Sequence, residues 1–245
     1  MYGAARGAAD FRILDGPPAG RYAAGMAKAP AKRSARPRVY ELKVALRGTE
    51  PPIWRRFRLR DDVTLLKLHE MLQVIMGWTD SHLHQFIFHG TYYGRPDPDL
   101  PGPRRDERKV RLGDVLKKPR DRLTYEYDFG DSWDHELILE QVLPHEPRAR
   151  YPVILAGKGA CPPEDCGGIP GYYRLLEALA HPTDPERQEL LEWVGGKFDP
   201  ECFDVGALNR ALHGGWYLPD ENTQSRAPAS GEHSRPGMSG RRRRS

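Results

Sequence analysis

The sequence predicts an α+β domain: an antiparallel, roll-like sheet with one early helix packed on it and a helical segment at its C-terminal end. Three observations predict this class. Runs with a two-residue apolar period come first and runs with a helical period come last, without the strict strand–helix alternation of a doubly wound sheet. One strongly amphipathic stretch stands between strand-like runs near the start. Gly130-Asp131 supplies turn chemistry between two further strand-like runs, which makes them a hairpin.

Each element follows from its residues. Val39 to Arg47 alternates Val39, Glu41 and Lys43 with Tyr40, Leu42 and Val44, the period of a strand, and Pro51-Pro52 ends it. Ile53 to Leu59 reads as a second strand. Thr64 is a candidate N-cap for a helix carrying Leu65, Leu68, Leu72, Ile75 and Met76 on one stripe, with Gly77 as its stop and His69 on the same inward face. His82 to His89 alternates again, which puts His82, His84, Phe86 and Phe88 on one strand face and Leu83, Gln85 and Ile87 on the other. Gly90 and Gly94 punctuate a turn, Pro96 to Arg108 reads as a polar loop, and Leu112 to Leu116 as a helical turn. Leu123, Tyr125, Tyr127 and Phe129 share a strand face, and Trp133 to Val142 returns as the partner strand. Tyr151 to Ala156 is a short strand, and Gly157 to Gly171 a Gly/Pro-rich loop. Helices are expected at Tyr172 to Ala180, Pro185 to Val194 and Val205 to Leu212. No internal repeat is present.

Composition sets the limits of the domain. Residues 1–37 are rich in Ala, Gly, Pro and Arg; residues 219–245 are rich in Ser, Gly, Pro and Arg and finish in Arg241 to Arg244. Neither segment can bury enough apolar surface to offset the entropy of ordering, so both are expected to be disordered basic extensions of one domain at 38–218. Residues 1–38 carry a net +6 and residues 219–245 a net +3, against +4 for the whole chain, which leaves −5 on the body between them. An acidic body is a poor surface for phosphates, although the basic tails can give weak, salt-sensitive contact with nucleic acid. No apolar run reaches 18 residues, so no membrane span is expected, and the N-terminus lacks the apolar core of a signal peptide. Three cysteines do not describe a disulfide framework and point to a reducing cytoplasm. Met26-Ala27-Lys28-Ala29-Pro30 reads as an alternative start, which would make residues 1–25 an extension.

Six stretches carry a recognisable pattern in a recognisable order. They are Pro51-Pro52-Ile53-Trp54-Arg55-Arg56, Leu68-His69-Glu70, Gly77-Trp78, His82-Leu83-His84-Gln85-Phe86, the nine residues Tyr127 to His135, and Cys161-Pro162-Pro163-Glu164-Asp165-Cys166-Gly167-Gly168. Together they resemble the plasmid pRiA4b ORF-3-like family, also labelled as insertion-element passenger or TnpR-like proteins. The resemblance implies an α+β roll-like domain found on plasmids, mobile elements and chromosomes, and it implies no reaction. The TnpR label suggests a serine recombinase. Residues 39–218 contain two serines, Ser81 and Ser132, both beside acids and histidines rather than in an arginine cluster. No helix-turn-helix signature follows. The chain is therefore not expected to be a serine recombinase.

Four constellations can carry chemistry. The first is acidic: Asp128, Asp131, Asp134 and His135 around a tight turn, with Glu164 and Asp165 farther on. Carboxylates and imidazole together suit a divalent metal, whereas Asp beside Gly is also ordinary turn chemistry. The second is His69, His82 and His84, a set able to bind zinc or to pack as core histidines with backbone partners. The third, Cys161 and Cys166 with Cys202 beyond, lacks the second pair of a zinc ribbon and favours a rigid structural loop. The fourth, Phe129-Gly130-Asp131-Ser132, resembles an esterase nucleophile block but is followed by a strand rather than a helix, and neither His181 nor His213 has an Asp three residues before it. The expected function is therefore a binding module for a protein or small ligand. Its aromatic–acidic pocket would comprise Trp78, His82, His84, Tyr127, Asp128, Asp131, Trp133, His135, Glu164 and Asp165. The alternative is a metal-dependent hydrolase with a divalent metal as cofactor, its ligands drawn from His69, His82, His84, Asp131 and His135, with Asp128 and Glu164 as further ligands or general base.

Overall fold

The alternating run at the start of the domain becomes an interior strand, β1 (Arg38–Leu46), with Tyr40, Leu42 and Val44 fully buried. The computed structural model describes residues 37–97 and 102–216. Of the extensions expected at 1–37 and 219–245, residues 1–36 and 219–245 lie outside the described residues. β2 (Trp54–Arg60) pairs antiparallel with β1, and α1 (Leu65–Met76) follows. The Thr64 side chain accepts from the Lys67 N–H at the start of α1, and Gly77 ends it in the left-handed conformation that a residue with a Cβ adopts at a cost. Leu65, Leu68, Met71, Leu72 and Ile75 are buried along one stripe and join the same apolar core as the strands. Each such side chain contributes about 2 kcal/mol of transfer free energy.

β3 (His84–Phe88), β4 (Thr91–Gly94) and β5 (Arg104–Asp106) come next, then α2 (Leu112–Val115) and the hairpin β6 (Arg122–Tyr127) and β7 (Trp133–Pro144). β8 (Val153–Lys158), α3 (Gly168–Ala180), α4 (Arg187–Trp193), α5 (Val205–Ala211) and a π-helical turn (Leu212–Trp216) complete the described chain. The eight strands form one sheet in the order β5-β4-β3-β6-β7-β1-β2-β8. Six of its seven pairings are antiparallel, and β4 with β5 is parallel, so the sheet is mixed rather than purely antiparallel. At the outer side of β8, the Asn209 side chain from α5 accepts from the Ile154 N–H at 2.8 Å and donates to the Ile154 carbonyl at 3.0 Å. No helix among the described residues is long and apolar enough to cross a membrane.

Several local expectations are corrected. β4 occupies the stretch read as a turn ending at Gly94, and β5 lies inside the expected loop from Pro96 to Arg108. β6 stops at Tyr127, so Phe129 is in the turn, where the Arg104 guanidinium lies 6.0 Å from its ring centre. α3 begins at Gly168, inside the expected loop from Gly157 to Gly171. β3 begins at His84, which leaves His82 in the preceding loop and outside the strand period that would have placed it beside His84.

Candidate functional site

Register builds the site. Pairing of β3, β6 and β7 places His84 opposite Tyr127 and Tyr127 opposite Trp133, and one step along it places Phe86, Tyr125 and His135 in a second row. α1 delivers His69 to Tyr125. His69 Nδ1 lies 2.8 Å from the Tyr125 hydroxyl, which also receives the Gln73 amide at 2.9 Å. The phenol therefore gives its proton to Nδ1, and the His69 Nε2–H donates to Asp80 Oδ1 at 2.8 Å. Gln73 Oε1 in turn accepts from the Asp80 N–H. Burial pushes His69 down to about 2, with further lowering from His84 and Arg95, so the imidazole is neutral. The His84 ring stacks on it, centroids 3.4 Å apart and planes 6° from parallel. His84 Nε2 lies 2.8 Å from Oε2 of Glu107, a carboxylate with no exposed surface whose other oxygen has no protein partner.

Three loops close over this layer and are clasped by hydrogen bonds. Glu164 accepts from the Thr79 N–H, from the Thr79 hydroxyl at 2.5 Å and from the Tyr127 hydroxyl at 2.5 Å. Burial, then Glu164, raises the Tyr127 phenol above its ordinary value. The Trp78 indole donates to the Pro162 carbonyl, the Gly167 N–H donates to Asp131 Oδ2, and the Asp128 N–H donates to the Leu83 carbonyl. Trp78 stacks on Tyr127 at 4.9 Å and lies 6.0 Å from Trp133. These three rings are buried, so they form a floor under the acids and not the walls of an open pocket.

The rim is polar. His82 Nδ1 lies 3.7 Å from Asp128 Oδ2 and its Nε2 3.2 Å from Asp165 Oδ1. Asp80, Asp128 and Asp165 all hold left-handed backbone angles, a conformation that Asp tolerates better than most residues. Asp80, Ser81, His82, Leu83, His84, Arg95 and Asp97 line a cleft of ≈ 270 Å³. A larger concavity of ≈ 660 Å³ along Gln85, Tyr92, Arg104 and Arg105 gathers no carboxylate or imidazole, so chemistry favours the smaller one.

The structure thus brings His82, Asp128 and Asp165 together, and His69 with His84. Asp131 and Glu164 are occupied in the clasp. His135 lies in the core, its Nδ1 3.2 Å from the Tyr125 carbonyl. Burial pushes the Cys161 and Cys166 thiols up to about 12, and the Cys166 thiol faces the Gly168 carbonyl at 3.8 Å. Three participants escaped the sequence reading. Asp80 and Arg95 sit in loops without a period, and Glu107 lies in a charged run, Arg104 to Lys109, that reads as solvated surface.

His135 makes a testable prediction. Burial pushes it from 6.5 down to about 4. Above about pH 6.5 the imidazole is neutral in both folded and unfolded chains; below it the unfolded chain takes up a proton that the folded core refuses until about pH 4. Stability is therefore expected to fall as pH drops through that window, by on the order of 3 kcal/mol from this group. Denaturant midpoints at about pH 7 and about pH 4.5 measure it, and His135→Phe should lose roughly that much less on acidification than the parent. Equal losses in both proteins would assign the acid sensitivity elsewhere.

Comparison with known proteins finds a family model, a curated relative and a solved structure similar to the chain. A family model described as plasmid pRiA4b ORF-3-like protein matches residues 38–207. An uncharacterised protein of Sinorhizobium fredii, y4hQ, is 38% identical over 176 residues, which cover 71% of this chain and 90% of that protein. The crystal structure of a protein of unknown function from Methanosarcina mazei Go1 is similar with a TM-score of 0.64 and 37% identity, covering 70% of this chain and 98% of that one.

Proposed function

The chain belongs to the plasmid pRiA4b ORF-3-like family, and we propose that it is a binding module whose ligand enters the His–Asp cleft and carries positive charge. The observation that carries this reading is the rim: Asp128 and Asp165 flank His82, and Asp80, held by His69, lines the same cleft, with the Asp80 and Asp165 side chains 50% and 69% exposed. The clasp supports it by fixing all three loops before a ligand arrives, which lowers the ordering cost of binding.

Amide chemical shifts of the labelled full chain, followed during titration with a short Arg/Lys peptide and separately with magnesium and zinc salts, test the proposal. Shifts should concentrate at residues 80–84, 95, 128 and 165. Asp80→Asn should weaken binding about fivefold, the effect of one unit charge at close range in water. Shifts confined to β8 or α4, or a response to acetate but to no cation, would sink the reading.

A metal-dependent hydrolase is the second reading, favoured by Asp80. Burial raises its carboxyl from the ordinary value while His69 orients it beside the cleft, a placement that suits a proton acceptor. Metal-stimulated turnover of an aryl phosphoester, abolished in Asp80→Asn, would support this reading; turnover unaffected by that change would remove it. Carriage on a mobile element and a cytoplasmic location belong to the proposal too, testable by gene neighbourhood and by cell fractionation.

A further inference from the structure

Two side-chain groups at the cleft each offer three metal-type donor atoms within 4.8 Å of one another: His69, Asp80 and His84, and His82, Asp128 and Asp165. Geometry separates them. An ion bound by imidazole lies close to the ring plane, along the nitrogen lone pair. The His69 and His84 rings are parallel to within 6° and their centroids are 3.4 Å apart. An ion in the plane of one ring is therefore displaced far from the plane of the other, and the two cannot share it while stacked. Their nitrogens are also committed: both of His69 to Tyr125 and Asp80, and Nε2 of His84 to Glu107. This pair is a closed internal network.

His82 differs on each point. Among the described residues it has no stacked imidazole partner, and its ring stands edge-on to Tyr127 at 5.8 Å. Its Nε2 is shut off from solvent yet makes no hydrogen bond, although Asp165 Oδ1 lies 3.2 Å away. The contact lies within hydrogen-bond distance but is not aligned as a hydrogen bond, and two ligands about 2.1 Å from one ion stand roughly 3.0–3.4 Å apart, so a shared cation fits the same separation. Asp128 is held in place by its own turn, Oδ1 accepting from the Gly130 N–H, while Oδ2 lies 3.7 Å from the other ring nitrogen of His82, Nδ1, and one donor atom from each of the three residues falls within 4.8 Å of the others. Two carboxylates balance a doubly charged ion.

Building on the binding-module reading, we propose that His82, Asp128 and Asp165 hold one divalent transition-metal ion at the mouth of the cleft, with water completing its shell. One imidazole and two carboxylates suit manganese, iron, cobalt or zinc better than a thiolate-seeking ion. Metal binding would neutralise the rim and draw the 77–83, 128–132 and 162–167 loops onto one centre.

Calorimetric titration of the chelator-treated full chain with cobalt, manganese and zinc tests the proposal. One ion per chain is expected, with His82→Ala and Asp165→Asn each weakening affinity about tenfold or more. Glu189→Gln, on α4, should leave affinity unchanged. Cobalt added to the labelled parent protein should broaden the amides of residues 82, 128 and 165 first. That measurement decides the matter should either site variant fail to fold. Failure of all three ions to bind, affinity retained in both site variants, or broadening centred on Cys161 and Cys166 would overturn the metal site. An Arg/Lys peptide that still shifts the cleft while no metal binds would overturn this site and spare the binding reading; silence towards both would overturn both.

Discussion

Arg55→Ala is expected to cost about 3–4 kcal/mol, enough to bring the domain close to its unfolding threshold. Arg55 is 3% exposed, and its hydrogen bonds go to backbone carbonyls rather than to acids. Its Nε donates to the Ile75 carbonyl at 3.0 Å, and its Nη1 donates to the carbonyls of Trp54 and Lys158, each at 2.9 Å. Phe203 covers the guanidinium at 4.5 Å. One side chain thus ties β2, the last turn of α1, β8 and the segment before α5. Ile75 is one of the carbonyls that a helix end leaves without an internal partner, at the negative pole of the helix dipole. Truncation strands three acceptors, each worth about 1 kcal/mol or more when buried, and opens a cavity beside Phe203. Arg55→Lys should recover only part of the loss, since a single ammonium cannot span carbonyls on three elements. Denaturant midpoints measure both; a loss below about 1 kcal/mol for the alanine variant would mean that the carbonyls find other donors.

Gly171→Ala should be nearly as damaging, and it should damage the cleft as well. A Cβ at this position would stand 1.7 Å from the Cys166 carbonyl oxygen and 2.7 Å from its carbon. Backbone is the obstacle, so no rotamer relieves it. The 161–168 loop would have to lift off α3, and with it Glu164 and Asp165. An expected loss of about 3 kcal/mol lies at the upper end of overpacking effects. The specific signature is loss of the Tyr127–Glu164 hydrogen bond, visible as altered ultraviolet absorption or fluorescence of the buried Trp78–Tyr127 stack. Parent-like stability with an unchanged stack would show that the loop relaxes cheaply.

Elements with a clear period were legible in the sequence, and α1 shows why. Thr64, the Leu68–Leu72–Ile75 stripe and Gly77 are local signals, each sufficient within one turn of chain. β4 and β5 were not legible. Four residues that end in a glycine and three residues in a proline-rich stretch carry no period, and their parallel pairing is a long-range event. The site divides in the same way. Acids beside Gly130 were visible as a group, yet whether Asp128 or Asp131 faces a cleft depends on the incoming 162–168 loop, whose Gly167 N–H takes Asp131. His82 and His84 were paired by strand alternation, and a start two residues later separated them. The stack of His69 on His84 needed α1 and β3 in contact, and the burial of Glu107 needed β5 to exist.

Asn209 bears on how this molecule behaves in company. Its amide offers Ile154 one acceptor and one donor, the same pair that a neighbouring strand would present. The rim of the sheet at β8 is thereby answered from within the chain, and a strand from another molecule would have to displace a side chain before it could zip on. At the opposite rim, β5 is three residues long and carries Arg104 and Arg105, too short and too charged to template growth. With its rims guarded in this way, the eight-stranded sheet is expected not to polymerise along its hydrogen bonds, which light scattering of the concentrated protein would check.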